Sequence, residues 1–444
     1  MALLLVVWLG GNSLAMSWVY LYSNSLQRPF LQGRAGIFMG QQYSIGAFFR
    51  RMPNELLRRF FAAKGVFAEL DFGAMKQTEP APLIAAWNAL PDQQRAALEA
   101  ELRAVHAMSN KKGLGAIQDA ARTVLEDDQL ALEAFMARLA GMDDYSTQAM
   151  TAYLEQATLW PWAERFHHAD RLGHWKKRNQ LPKVEPAVDP PSLAELSALL
   201  KDYFTRAEGR GRNCLVEHYR RGGRDYYFAF PEDHATRGVE WEQGAMAWRA
   251  HNPAFDVVFV YAKAEGSLNL FCRGAYKAVA PLQTLFAKAI LKQQELPPER
   301  KSDKAYELNA LMSPSFEFVR DMGSGVGSVV VKKLRLSSWQ RPGDRITLEA
   351  DGTSNRRAIY ELLEQVGKSV DLANYKVTQV DLSAEVWAGV GKPPKTVNFQ
   401  VTHPNSCSLK FDEMDEQLWK MLAASGIEAR SPDPATPAAL PAAG

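Results

Sequence analysis

A short run of basic residues, Lys176, Lys177 and Arg178, is the first group in this chain whose type and spacing could do chemistry. The run follows Trp175, and no acidic residue dilutes its charge. Lysine and arginine side chains neutralise phosphates, and a neighbouring aromatic ring can stack on a base. We call these three residues the junction cluster, and the sequence predicts that they bind nucleic acid or another polyanion.

A second basic group, Arg220, Arg221 and Arg224, surrounds the glycine pair Gly222-Gly223. Two consecutive glycines between β-branched and aromatic residues predict a tight hairpin turn, because both can adopt positive φ. We call the three arginines the hairpin cluster. An exposed tip of this kind fits the same polyanion partner, with the tyrosines on the hairpin arms available to stack on bases. The alternative interpretation is a solvated tip above core tyrosines.

The overall composition sets limits on this function. Lys and Arg number 52 against 50 Asp and Glu, a net charge of +2, so any attraction to a polyanion must come from local patches. We therefore expect a non-enzymatic protein that binds a macromolecule, either nucleic acid or a protein partner. The competing hypothesis is a metal-dependent nuclease or other hydrolase whose site is assembled only by the fold, with Glu217, Asp225, Glu232 and Asp233 as candidate carboxylates.

Glycine-rich segments that resemble nucleotide-binding motifs fail on spacing and context. Gly323–Gly327 precedes a predicted strand, where a dinucleotide loop opens a helix, and no kinase catalytic loop accompanies it. Gly367-Lys368-Ser369 lacks the first glycine of a P-loop, since Leu362 occupies that position. The sequence therefore predicts no cofactor.

Histidine and cysteine patterns give no metal or nucleophile motif. His167, His168 and His174 lack the spacing of a His-Glu-x-x-His helix. The three cysteines, Cys214, Cys272 and Cys407, form neither a disulfide framework nor a CxxC pair, although proximity of Cys214 to His218 or of Cys407 to His403 stays open. We expect no metal site, and a reducing, cytoplasmic compartment.

Periodicity divides the chain into a helical part and a part of mixed type. Residues 39–179 show apolar residues at helical spacing, residues 180–191 contain four prolines and predict an exposed linker, and residues 192–430 alternate with period two between occasional helices. The Pro/Ala-rich residues 431–444 predict a disordered tail. The fold class expected is α+β: an all-helical N-terminal domain followed by a mixed or antiparallel sheet domain with inserted helices.

Individual elements follow from caps and turns. In the helical part the patterns predict a helix from Asn54, another from Asp92, and further helices over 113–125, 129–140 and 147–170. In the second part they predict one hairpin over 214–230 and another over 255–272, with further elements beyond. Those are helices near 192–208, 275–293, 355–366 and 413–425, and strands near 316–320, 326–336, 344–349, 375–387 and 396–402.

Residues 1–38 begin with an apolar run, Ala2–Leu9, and carry no charge before Arg28. Glycine, asparagine and serine interrupt the run at 10–13, so it is shorter than the roughly 18–20 apolar residues of a membrane span, and none is expected. Three interpretations stay open for this leader: sequence upstream of a true start at Met16 or Met39, a signal or anchor, or a buried element.

Overall fold

The computed structural model of the protein describes residues 43–242, 244–274, 276–296, 304–320, 325–352, 354–387 and 393–428. Within them a helical N-terminal region is followed by a large antiparallel sheet with inserted helices, so the α+β prediction is confirmed. The predicted leader at 1–38 and tail at 431–444 lie outside the described residues. No described helix combines the length and the apolar character needed to cross a membrane.

The helical region buries one apolar stripe of each helix in a shared core that contains Phe49, Phe60, Phe61, Trp87 and Leu102. This packing is what amphipathic spacing predicts. The helices are α1 (Ile45–Arg51), α2 (Asn54–Ala63), α3 (Ala81–Asn88), α4 (Asp92–Met108), α5 (Lys111–Val124), α6 (Gln129–Ala140), α7 (Tyr145–Glu155) and α8 (Trp160–Ala169).

The helix predicted over 147–170 is wrong as a single element, because α7 ends at Glu155 and α8 begins at Trp160. Pro161 lies in the first turn of α8. Proline lacks an amide proton and disfavours the helical conformation in the residue before it, so it suits a helix start and not a helix interior.

Ten strands form one sheet in the order β2-β3-β6-β7-β1-β12-β11-β10-β8-β9, with every described pairing antiparallel. The predicted hairpins correspond to β2–β3 and β6–β7. The strands are β1 (Trp175–Arg178), β2 (Cys214–Arg221), β3 (Arg224–Pro231), β6 (Val257–Ala262), β7 (Ser267–Cys272), β8 (Val326–Ser338), β9 (Arg345–Glu349), β10 (Tyr375–Val386), β11 (Lys395–Thr402) and β12 (Ser406–Cys407).

Strand β1 lies in the interior of this sheet, although its residues fall inside the segment predicted as helical. It pairs with β7 on one side and with β12 on the other. Trp175 is fully buried between Phe271 and Phe411. The last residues of the predicted helical domain therefore contribute to the sheet.

Different helices cover the two halves of the sheet. Over β2, β3, β6 and β7 both faces are covered: α9 (Pro190–Glu208) and α10 (Val279–Ala289) share a core with one face, and the end of α8 meets the other. Over β8, β10 and β11 only the second of these faces has a helical cover, from α11 (Ala358–Gly367) and α12 (Glu413–Ala424). No described helix covers the opposite face of β8, β10 and β11.

The proline-rich segment 180–191 is held against the sheet. Leu181 is buried, and the hydroxyl of Tyr261 donates to the carbonyls of Pro182 and Val184. Tyr227 donates to the carbonyl of Ala187. The expectation that this segment is exposed along its length is therefore wrong, while the division into two separable domains stays a prediction.

Two further differences concern strands. The segment predicted as a strand at 316–320 has no strand structure, and Val319 instead donates its amide to the hydroxyl of Ser425. The sequence did not indicate β4 (Thr236–Glu242) and β5 (Ala245–His251), which form a separate two-stranded ribbon.

The position of Trp175 leads to a stability prediction. Trp175→Ala should lower the free energy of unfolding by about 3–5 kcal/mol, because it removes a fully buried ring from an interior strand. Leu130→Ala, at a side chain that is 81% exposed, should change it by less than about 0.5 kcal/mol. Urea unfolding followed by circular dichroism measures both, and a loss under about 1 kcal/mol for Trp175→Ala would contradict the central role of β1.

Candidate polyanion-binding surface

The hairpin cluster has the geometry predicted from its glycines. Gly222 and Gly223 have φ of 55° and 76°, and Arg221 is directly opposite Arg224 in the register. Side chains alternate between the faces of a strand. Arg221 and Arg224 therefore point toward the helical region, while Arg220 lies on the opposite face with His218.

Arg221 is not available at an exposed tip, because its side chain is only 8% exposed. Its guanidinium donates to both carboxylate oxygens of Asp170, at 2.7 and 3.1 Å, and to Asp119 at 2.8 Å. Burial opposes its charge, but the carboxylate of Asp170 holds the pKa of Arg221 above its ordinary value. The expectation of a freely exposed tip is wrong for this residue.

Arg224 and Arg220 are also paired. Arg224 lies 2.9 Å from Glu416 of α12, and Arg220, which is about half exposed, lies 3.5 Å from Glu185. A cleft of about 580 Å³ runs along this side of the hairpin. Its charged lining is balanced, four basic residues against four acidic ones: Arg122, Arg220, Arg221 and Arg224 with Asp119, Glu126, Asp412 and Glu416.

The junction cluster is divided between the two faces of the sheet. Lys177 is buried and pairs with Glu428 and with Glu265, the latter at 3.2 Å. It lines a second hollow of about 340 Å³ that shares Arg224 with the cleft. Lys176 and Arg178 lie on the other face, where Arg178 is buried and engaged by neighbouring groups. The structure thus brings Lys177 close to the hairpin cluster and separates Lys176 and Arg178 from it.

The carboxylates of the competing enzyme hypothesis do not meet in one place. Glu217 accepts from Arg165, Asp225 contacts His218, and Asp233 accepts from Arg210. Glu232 accepts hydrogen bonds from two asparagines. Among the described residues no group of three histidine, cysteine or acidic side chains has a metal-binding arrangement.

The cysteines lack the environment of a nucleophile. Burial raises the pKa of Cys214 and of Cys272 to about 11, and it raises the pKa of Cys407 further. A thiolate is the reactive form of cysteine, so burial disfavours the reactive form of all three thiols near neutral pH.

The sequence did not reveal a polar surface on the helix-free face of β8–β12. One register row crosses six strands, and each residue in it lies directly opposite the next: Thr347, Arg335, Gln379, Thr402, Ser406 and Lys176. The parallel row is Glu349, Lys333, Asp381 and Gln400. We call this surface the polar face.

Arg335, in β8 beside the edge strand β9, makes no ion pair among the described residues. Its Nε is buried and makes no hydrogen bond. Burial, followed by the nearby charge of Arg345, lowers the pKa of Arg335. A guanidinium stays protonated in proteins, and the carboxylate of Asp381 opposes these two effects without forming an ion pair with it, so this half-buried positive charge is only partly compensated.

Lys176, at the other end of the row, also has no ion-pair partner among the described residues. Its ammonium donates to the Ser406 hydroxyl at 2.8 Å and lies 6.0 Å from the Tyr276 ring centroid, with no carboxylate partner among the described residues. Burial lowers the pKa of Lys176. Two cations without acidic partners therefore share one row.

An exposed aromatic ring lies beside the polar face. Trp339 follows the end of β8, is 55% exposed, and has the Lys376 ammonium 4.5 Å from its ring centroid. By register the face carries more basic than acidic side chains: Lys176, Lys333, Arg335, Arg345 and Lys376 against Glu349, Asp381 and Glu385.

No known protein family matches this chain, and neither does any curated protein.

The ion pair at the hairpin gives a prediction with an internal control. Arg221→Ala should destabilise the protein by about 3–5 kcal/mol, because it leaves the buried carboxylate of Asp170 without its partner. Arg220→Ala, at the adjacent position on the opposite face of the same hairpin, should cost under about 0.5 kcal/mol because this side chain is half exposed. Equal midpoints in urea unfolding for the two variants would contradict the assignment.

His167 gives a pH prediction. Burial, followed by the charge of Arg171, lowers the pKa of His167 to about 4. Because the unfolded chain protonates this ring near its ordinary pKa of 6.5, folding stability should fall as the pH drops from 6.5 towards 4.

His167→Gln should remove that part of the acid sensitivity, on the order of 2 kcal/mol between pH 7 and pH 4.5. Asp415, whose pKa burial and Asp412 raise to about 6, titrates in both proteins and cancels in the comparison. Urea unfolding at the two pH values measures the difference. Identical pH dependence in the two proteins would show that His167 is not the responsible group.

Proposed function

We propose that this protein binds a polyanion, and single-stranded nucleic acid in particular, through the polar face. The observation that carries the proposal is the guanidinium of Arg335, which makes no ion pair among the described residues and whose buried Nε makes no hydrogen bond. A half-buried charge without a partner is unfavourable, and a phosphate that accepts from a guanidinium compensates it with charge-assisted hydrogen bonds. Binding of an anion at this point therefore supplies what the fold leaves unsatisfied.

The dimensions of the polar face favour an extended ligand. Arg335 and Lys176 lie four strand spacings apart in one register row, which is roughly 19 Å for strands about 4.8 Å apart. The row between them contains only hydroxyl and amide side chains, which donate to phosphates and sugars. A backbone of several nucleotides fits this length.

Trp339 supports a nucleic acid over other polyanions. An exposed indole beside a basic sheet face is the arrangement on which bases stack, and stacking tolerates any base. We therefore expect preference for single strands, whose bases are accessible, and little sequence specificity.

The hairpin cluster is the weaker candidate for the same function. Acidic residues balance the charge of its cleft, and Arg221 and Arg224 are engaged in ion pairs. Phosphate binding there would have to displace those carboxylates. The polar face needs no such exchange at Arg335 or Lys176.

Binding to fluorescent single-stranded DNA and RNA at about 50 and 200 mM salt tests the proposal. The triple variant Lys333→Ala, Arg335→Ala, Arg345→Ala should bind at least about tenfold more weakly at low salt. Its slope of log affinity against log salt should be shallower by about 2, since each lost phosphate contact contributes roughly 0.7. Trp339→Ala should weaken binding with little change in that slope.

A charge-matched control lies on α9 and α10, where Lys201, Arg206 and Lys288 are exposed. Changing these three residues to alanine removes the same charge and should leave binding unchanged. If the control weakens binding as much as the polar-face variant, net charge alone is responsible and the site is wrong. If wild-type protein binds neither single strand at low salt, the function is wrong.

A further inference from the structure

The ribbon of β4 and β5 has one apolar face. The register places Val239 opposite Trp248 and Trp241 opposite Met246, so these four side chains share a face. Glu240, one residue away from two of them, lies on the other face.

This apolar face is exposed to solvent. Trp241 is 77% exposed, Met246 59%, Trp248 55% and Val239 46%. Tryptophan is also the residue most enriched at the energetic centres of protein interfaces. A contiguous face of this composition indicates an interaction surface.

The ribbon also lacks the support that its stability requires. It forms a sheet of two strands, separate from the ten-stranded sheet. An isolated two-stranded hairpin is at best marginally stable in water and needs a further layer on its apolar side. The described residues do not provide that layer, as the exposed fractions show.

We propose that a second copy of this chain covers the ribbon, so that two ribbons pack face to face in a homodimer. Two identical apolar faces related by a two-fold axis are complementary to each other, which is the commonest symmetry of oligomers. At about 200 Å² for each large side chain, the exposed fractions leave roughly 500 Å² on each ribbon. The pair then buries about 1,000 Å², the lower limit of specific interfaces.

Charge favours a second copy over a membrane surface as the occupant. By register the opposite face carries Arg249 and Glu240, which balance, while Arg237 shares the apolar face, where its guanidinium lies 5.1 Å from the Trp248 ring centroid. Amphipathic helices that lie on membranes are rich in lysine and arginine on their polar face. The polar face of the ribbon lacks that basic excess, and Arg237 is held against the Trp248 ring of its own ribbon, so a second copy is favoured over anionic lipid.

Sedimentation equilibrium of the full chain from about 1 to 200 µM tests the proposal. Wild-type protein should dimerise within this range, as expected for a small interface. The double variant Trp241→Lys, Trp248→Lys should weaken the dimer at least about 100-fold, because each change occurs twice in a two-fold interface.

Two control variants accompany the double variant. Glu240→Ala, on the opposite face of the same ribbon, and Leu130→Lys, at another exposed apolar side chain, should both leave the dimer intact. Near-ultraviolet circular dichroism establishes that the double variant is folded. Should it fail to fold, Val239→Lys with Met246→Lys addresses the same face.

Three outcomes would overturn the proposal. The first is wild-type protein that stays monomeric over the whole range, and the second is a dimer that persists in folded ribbon variants. The third is a monomer that cosediments with phosphatidylcholine vesicles through Trp241 and Trp248, since the occupant would then be lipid.

Discussion

The pairing of β1 with β7 and β12 is the constraint on which the rest of the structure depends. Four residues join two antiparallel halves that otherwise share no strand pairing, and the fully buried ring of Trp175 packs against Phe271 on one side and Phe411 on the other. Because β1 follows α8 directly, the same residues also fix the end of the helical region over the sheet. A chain that lost this strand would lose the register row that relates Lys176 to Arg335.

Ion pairs connect the helical region to the rest of the chain. Arg221 binds Asp119 of α5 and Asp170 at the end of α8, Lys112 of α5 reaches Asp412, and Arg165 of α8 binds Glu217. Buried pairs add little net stability but make mispairing costly, because a lone buried charge is strongly unfavourable. The basic clusters that look like ligand sites in the sequence thus include residues that specify how the two parts of the chain fit together.

The hairpins and helices that the sequence predicts correctly are those determined by interactions between residues close in the chain. The hairpins β2–β3 and β6–β7 follow from glycine turns between short β-rich runs, and α6 has the predicted bounds. Strand β1 could not be found in this way, because four residues carry no detectable period and Ser406 lies 230 residues away. The partners of the basic residues are equally remote: Asp170 is 51 positions from Arg221, and Glu428 is 251 from Lys177. A single sequence does not show which of these distant residues pair with each other.

The burial patterns of the strands account for the polar face. Strand β6 is apolar at every position, as a strand covered on both faces must be, whereas β10 alternates buried and less buried residues along its length. Alternation means that one face of the sheet has no apolar cover, and basic residues on that face need another source of compensation. Glu349 supplies it for Lys333, at 3.0 Å, whereas Arg335 in the neighbouring row lies opposite Thr347 and Gln379 and makes no ion pair with a described carboxylate. An anion from outside the chain would complete the compensation of that guanidinium, which is why we propose binding at Arg335 and not at the denser arginine cluster of the hairpin.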